Sequence, residues 1–463
     1  MRTILQYLLV ILLFCSCAKE ESVIFDLRAS VDDISRIELR ADHKTLLPNG
    51  MAKMEFYTFV YGTKEVVSYN KTEEDVYFTD TVKIEYLIPN DQLPSDYIKV
   101  YDPSGKELTD NVYSTTTEKA GTVLEFYAKG GAIESNRLPI TVRPLPDESY
   151  EELVVPVVFH LLIPPATSGP SYDITSEYLE QTLQRMNDIF NRRMTADPNG
   201  GNVKVTFKLA EYDKAGIRLQ EKGKNVVKLS ASNIKQIDSW AEDNDDDLTI
   251  AYDKFIIKNW RSCLWNPEQY LNIWLTKYVS RGSETSDYYS YRAEFPTVMH
   301  SAYDLKSIPG LKVVTKDVFT LNDVESSFEI GVMVNYMAFL NPQTQGSNEF
   351  SLATALGKYY GLFLTQCDKY KNLNSDGDND YCADTYNFDY GYYPSVFKAN
   401  NLDGQPENDP TRPKEWFTSF GVMDRYSRKS SVSADQASRM RKVMLQCPSR
   451  WCYKSQFAFT GKK

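Results

Sequence analysis

Between Ile24 and Val142 apolar and polar residues alternate in short runs, each bounded by turn-forming residues. Side chains of a strand point to opposite faces in turn, so a period of two predicts strands with one face on a core. The runs are Ile37–Asp42, Met54–Tyr61, the alternating set Val82, Ile84, Tyr86 and Ile88, then Val123–Ala128 and Leu138–Val142. Turns are predicted at Leu47–Gly50, Asp102–Gly105 and Lys129–Gly131, where Pro, Asn and Gly supply the backbone angles. Short strands at this spacing predict a β-sandwich.

The pattern changes after Arg143–Ser149, which has a linker's composition. Leu153–Ile163 is almost continuously apolar and predicts a buried strand. A helix follows, capped by Thr175, with Leu179, Leu183, Met186 and Phe190 along its inner face. Val205, Phe207 and Leu209 alternate on the next strand, and the acidic run Asp243–Asp247 reads as a solvated loop. In Ser351–Gln366, Leu352, Leu356, Tyr359 and Phe363 recur at the spacing of one helix face. Gly361 stops or bends that helix, because glycine alone enters the left-handed region cheaply. Thr354 and Lys358, four residues apart, share another face. The fold class is α+β.

The chain has 463 residues, enough for two or three domains. Its net charge of −11 repels a phosphate backbone and excludes nucleic acid as a partner. Arg2 followed by the apolar run Ile4–Phe14 reads as an export signal, too short to span a bilayer. The run ends in Phe14-Cys15-Ser16-Cys17. This resembles a bacterial lipobox with the small Ser16 before the acylated Cys17, while Cys15 follows a bulky Phe. Ala18-Lys19-Glu20-Glu21 resembles the signal that sends lipoproteins of Bacteroides-type bacteria to the outer face of the outer membrane. The outer membrane, reached through the lipid anchor, is then a partner, and the location is the cell surface. Cysteines outside the cytoplasm can pair. Cys367 and Cys382, flanking a polar loop, are the first choice for a disulfide, and Cys447 with Cys452 is the next.

Several segments resemble the pappalysin-like branch of the metzincin zinc proteases. They are Val155–His160, Met186–Phe190, Trp265-Asn-Pro-Glu-Gln-Tyr-Leu-Asn-Ile-Trp274, Ala293–Pro296, Gly331–Asn335 and the helix at Leu352–Phe363, in that order over roughly 300 residues. Ala293–Pro296 and Gly331–Asn335 fit the strands expected before the zinc helix. Cys382-Ala-Asp-Thr385 resembles a loop of that family, Phe420–Tyr426 its Met-turn through Met423, and Ala434–Arg441 its closing helix. The resemblance implies a twisted sheet over two long helices with a cleft between upper and lower parts. The opening strands resemble bacterial immunoglobulin-like repeats. The expected organisation is a signal at 1–16, then anchor, short tether and Ig-like β-sandwich at 17–148, then a metzincin-like domain at 149–463.

The zinc motif of that family, H-E-x-x-H-x-x-G-x-x-H, keeps its spacing and glycine here but not its chemistry. Thr354, Ala355, Lys358 and Leu364 stand where three imidazole ligands and the catalytic carboxylate belong. The chain has three histidines, His43, His160 and His300, too scattered to rebuild the site; His160 reads as a packed core residue. No zinc is expected. Asn374, Asp376, Asp378 and Asp380 place oxygens at alternate positions around Gly377, and Asp384 follows, so this stretch is either a calcium loop, though without the Glu that closes an EF-hand, or a solvated acidic loop. Lys358, on the cleft side, either holds a carbonyl or carboxylate of a ligand or fills the empty site by pairing with a nearby carboxylate. The expected function is a surface lipoprotein with an inactive protease-like domain that binds a peptide or protein ligand. The alternatives are a working peptidase with unrecognised catalytic groups and a purely structural lipoprotein.

Overall fold

The computed structural model describes residues 30–71, 77–165, 174–194, 197, 199–244, 248–276, 291–336, 339, 352–367, 380–385, 388–389, 406–408, 416–424 and 430–462. They form two compact units. One comprises residues 1–38, 58–99 and 128–136, the other residues 39–57, 100–127 and 137–463.

Residues 30–148 form nine strands and short 3-10 turns, with no α-helix among the described residues. The strands are β1 (Ile34–Ala41), β2 (Thr45–Leu46), β3 (Met54–Lys71), β4 (Tyr77–Ile88), β5 (Ile98–Tyr101), β6 (Val112–Tyr113), β7 (Val123–Gly130), β8 (Ile133–Glu134) and β9 (Leu138–Val142). In the first unit β4 runs antiparallel to β3 from Val60↔Ile88 to Lys71↔Tyr77. In the second, β9 pairs antiparallel with β7 at Val123–Phe126 and parallel with β2. The alternation read from the sequence is real: along β7 Leu124 and Phe126 are buried while Val123 and Glu125 are exposed.

The second unit continues with a six-stranded mixed sheet. Its central strand, β10 (Leu153–Ile163), is parallel to β11 (Val205–Leu209) at its start, to β12 (Lys224–Lys228) at its end, and to β13 (Leu271–Thr276). Beyond β13 come β14 (Tyr291–Arg292), antiparallel, and β17 (Gly331–Asn335), which lies between the two. The short parallel pair β15 (Val298–His300) and β16 (Val314–Lys316) stands apart.

Both faces of this sheet are covered, which is why β10 reads as continuously apolar. Val155, Val157, Phe159 and Leu161, with Ile273, Val332 and Val334, belong to the main core. That core also takes Leu179, Leu183, Met186 and Phe190 of α1 (Ser176–Phe190), capped by Thr175 as its sequence predicts. Leu162, Trp274 and Met333 have the opposite parity and belong to a second core. There they join Ile237 of α2 (Ala231–Glu242) and Leu248, Ala251, Tyr252, Phe255 and Ile256 of α3 (Leu248–Lys258). Chain order continues with α4 (Trp260–Cys263), α5 (Leu352–Tyr359), α6 (Ala434–Gln446) and α7 (Phe457–Thr460).

Some details differ from the sequence reading. Ala293–Pro296 forms no ladder; it follows β14 without regular secondary structure. Of the two long helices expected, α1 has 15 residues, whereas α5 has eight. Asp243 caps the end of α2, and residues 245–247 lie outside the described ones. Cys447 and Cys452 do not pair: both thiols are free, because Cys452 enters the main core and Cys447 a separate cluster with Met299, Ile308 and Val443.

Candidate functional site

α5 carries three of the four positions at issue, Thr354, Ala355 and Lys358, with Leu364 beyond its end, and local chemistry explains where it ends. The Leu362 N–H bonds back to the Gly357 carbonyl at 2.9 Å, and Gly361 has φ +90°. That is a Schellman closure, in which a left-handed residue turns the chain and satisfies the last carbonyls. Two buried guanidinium groups complete the end. Arg450 Nε donates to the Tyr359 carbonyl at 2.8 Å and Arg439 Nε to the Gly361 carbonyl at 2.6 Å. Cations there complement the negative end of the helix dipole.

Beneath the helix lies the turn at Gly421–Asp424, closed by an Asp424 N–H bond to the Gly421 carbonyl at 3.1 Å. Met423, fully buried, packs so close that a Cβ built on Gly357 would lie 2.6 Å from its Sδ. Gly357, with no side chain, makes room for that contact. Residues 425–429 lie outside the described ones.

The four ligand and base positions are absorbed into structure. Thr354 is buried and donates to the Val422 carbonyl at 2.7 Å. Ala355 is fully buried in the main core, and Leu364 packs against that core. Lys358 Nζ lies 3.7 Å from Glu294 Oε2 and 5.7 Å from the centre of the Phe295 ring. Burial pushes the Lys358 amine below the usual lysine range, while Glu294 works the other way. A buried threonine, an alanine, a paired ammonium and a leucine do not fit zinc, which needs neutral imidazoles or anionic donors.

Glu294 also receives Arg292 at 2.9 Å. It borders a cavity of about 420 Å³ whose wall includes Arg292, Phe295, Lys312, Glu325 and Phe363. Phe295 and Phe363 meet with ring centres 4.6 Å apart. Arg450 fixes this wall from behind: it is fully buried, reaches the carbonyls of Glu329 and, at 3.2 Å, Glu294, and lies 3.5 Å over the Tyr359 ring.

Two of the segments that carried the family resemblance, Val155–His160 and Trp265–Trp274, meet in one network. His160 of β10 donates through Nε2 to Asn272 Oδ1 at 2.8 Å and accepts from Asn225 at 2.7 Å through Nδ1. Asn272 accepts the Trp265 N–H at 3.0 Å and donates to the Trp265 carbonyl at 3.0 Å. Burial holds the His160 imidazole down to about 4, so it is neutral at pH 7. It is a core residue, as its position on a buried strand predicts.

Of the expected calcium ligands, Asn374, Asp376 and Asp378 lie outside the described residues. Asp380 accepts from the Cys382 N–H at 3.1 Å and the Thr385 hydroxyl at 2.7 Å. Asp384 is engaged elsewhere: with Arg143 at 2.7 Å, the Ser433 hydroxyl at 2.6 Å and the Asp435 N–H at 3.0 Å. These contacts fix the start of α6. Cys382 is buried, and the side chain of its expected partner Cys367 lies outside the described residues. Cys17 and its tag do so as well. No helix among the described residues is long and apolar enough to cross a membrane. Sequence reasoning missed Glu294, Arg439 and Arg450, whose partners lie far away along the chain.

No family model and no curated protein matches the chain. Among solved structures it is similar to a variant of promirolysin from Tannerella forsythia, at 16% identity and a TM-score of 0.40, covering 67% of this chain and 86% of that one. A likeness at that level decides nothing about this chain's chemistry.

Proposed function

We propose that the chain is a surface lipoprotein, anchored through Cys17 and displayed by Lys19-Glu20-Glu21, in which an Ig-like β-sandwich precedes a metzincin-like domain without hydrolytic chemistry. That domain binds a peptide or protein ligand in the cavity beside Glu294. The observation that carries this reading is the fate of the zinc-site positions. Thr354 is spent on the Val422 carbonyl, Ala355 lies in the core and Lys358 is paired with Glu294. Each substitution is accommodated by its surroundings, as expected of a framework retained without its metal. Calcium remains part of this proposal through the loop at Asn374–Asp380.

Elemental analysis of the purified full chain tests it, alongside a fluorogenic peptide library assayed with and without chelator. The expected result is zinc below about a tenth of an ion per chain, no chelator-sensitive cleavage, and retention of library peptides that weakens on Phe295→Ala. Stoichiometric zinc, or cleavage abolished by chelator, overturns the loss of hydrolysis. Peptide retention indifferent to Phe295→Ala overturns the assignment of the cavity.

A further inference from the structure

A second cavity, of about 460 Å³, lies on the side of the sheet away from α5 and is bounded by β12, α2, α3 and α4. Its volume falls in the range of small-molecule sites. Three amides line it, each held at one end. Asn225 Nδ2 is fixed between His160 Nδ1 at 2.7 Å and the Ser262 carbonyl at 3.1 Å. Asn259 Nδ2 is fixed on the Phe255 carbonyl at 2.9 Å. Asn233 Oδ1 caps α2 by accepting the Ser230 N–H at 2.8 Å.

The other end of each amide bonds no described residue. That leaves two oriented acceptors, Asn225 Oδ1 and Asn259 Oδ1, and one oriented donor, Asn233 Nδ2, on three residues of the lining. Oriented amides lose little entropy on binding, which favours directional recognition. Acceptors require a ligand that donates, so a bare carboxylate or phosphate leaves both unmet, whereas hydroxyl groups satisfy all three. Lys228 and Arg261 add exposed cations to the same lining, beside Lys214 and one carboxylate, Asp213, which accepts the Ala215 and Ile217 N–H groups. Three amide ends that call for hydroxyls, and three cations against one carboxylate, together describe a hydroxylated anion such as a sugar acid.

We propose that this cavity binds a hydroxylated monocarboxylate of the sugar-acid class. The site is separate from the cavity beside Glu294 and shares no residue with it.

Calorimetric titration of the full chain with sodium glucuronate, galacturonate and N-acetylneuraminate tests it, with glucose and sodium acetate as partial ligands. At least one sugar acid is expected to saturate in the millimolar range, with glucose and acetate each weaker by roughly tenfold or more, a factor equal to about 1.4 kcal/mol. Lys228→Ala with Arg261→Ala, both at exposed positions, should weaken that binding by roughly tenfold at an unchanged melting temperature. Asn259→Ala should weaken glucose and the sugar acid equally, because it removes a hydroxyl partner and no charge. Saturation by none of the three acids overturns the proposal. So does binding that the double variant leaves intact, or acetate binding as tightly as the sugar acid.

Discussion

At the scale of single residues, backbone angle and burial decide more than side-chain chemistry. Gly361 has φ +90°, and a Cβ there would lie 2.6 Å from Val443 Cγ2. Gly361→Ala therefore meets both a strained angle and a branched neighbour. It is expected to destabilise by roughly 1–3 kcal/mol, read as a lower urea midpoint with an unchanged slope. An unaltered midpoint would show that the Schellman closure is not what ends α5. His160 makes a prediction of opposite character. Burial lowers its pKa from 6.5 to about 4, so between those values the unfolded chain binds a proton that the folded chain refuses. Its contribution is complete above the unfolded value and is lost as pH falls through about 4. The difference amounts to at most about 3.5 kcal/mol, at about 1.4 kcal/mol per unit. His160→Gln removes the titration, so wild type minus variant should decline from pH 6.5 to pH 4 in urea melts. Using the difference cancels other groups, including His43, which Asp42 and Asp197 raise against the lowering effect of burial. A difference that stays flat over that interval would mean His160 is not held neutral.

Elements were legible where local rules set them and obscure where distant partners do. The apolar spacing and Gly361 mark α5 without help, and the parity of β10 announces a strand buried on both faces. The helix α3 also carried a signal: Leu248, Ala251, Tyr252, Phe255 and Ile256 stand at helical spacing and all are buried. The acidic run Asp243–Asp247 stands directly before that stripe and breaks the apolar pattern at its start. Arg450 left no trace in sequence, because the carbonyls it serves lie 91, 121 and 156 residues away. The same holds for Glu294, which Lys358 reaches across 64 positions (358 minus 294) to complete the candidate site. Local pattern reveals periodicity, caps and glycines, but not which carbonyl or carboxylate a charged side chain will find. Arg450 is the strongest case, since it joins the end of α5 to the chain at Glu294 and Glu329. A lysine is a point donor without the planar fork and cannot span three carbonyls in different directions. Arg450→Lys is expected to leave at least one buried carbonyl unpaired and to destabilise by about 2–4 kcal/mol. Hydrogen exchange should locate the loosening at Tyr359–Leu362 and around Glu294. Uniform loosening elsewhere, with those amides unchanged, would contradict this role.

At the scale of the molecule, the linker identified from composition is part of the fold. Arg143 sends one arm to Asp384 at 2.7 Å and the other to Asp435 at 2.5 Å. Asp384 is buried, and burial together with Asp435 pushes its carboxyl up while Arg143 pulls it back. Nearby buried polar residues belong to the same unit: His43 pairs with Asp42 at 3.2 Å, and Ser431 donates to Asp197 at 2.8 Å. Residues 39–57, 100–127 and 137–148 cluster with everything after them in the second unit. Removing Arg143 leaves Asp384 buried without its counter-ion, a change of about 3–5 kcal/mol where such a charge cannot reach water. Arg143→Ala should lower the melting temperature sharply. Adding Asp384→Asn should recover part of the loss, because an amide can still accept the Ser433 hydroxyl and needs no counter-ion. A chain begun at residue 149 loses Arg143 together with Asp42 and His43, so it should melt below Arg143→Ala itself or fail to fold, and Asp384→Asn should help it less. If that shortened chain instead melts with the full chain, the polar contacts around Arg143 contribute nothing to the second unit, and the linker is a tether after all.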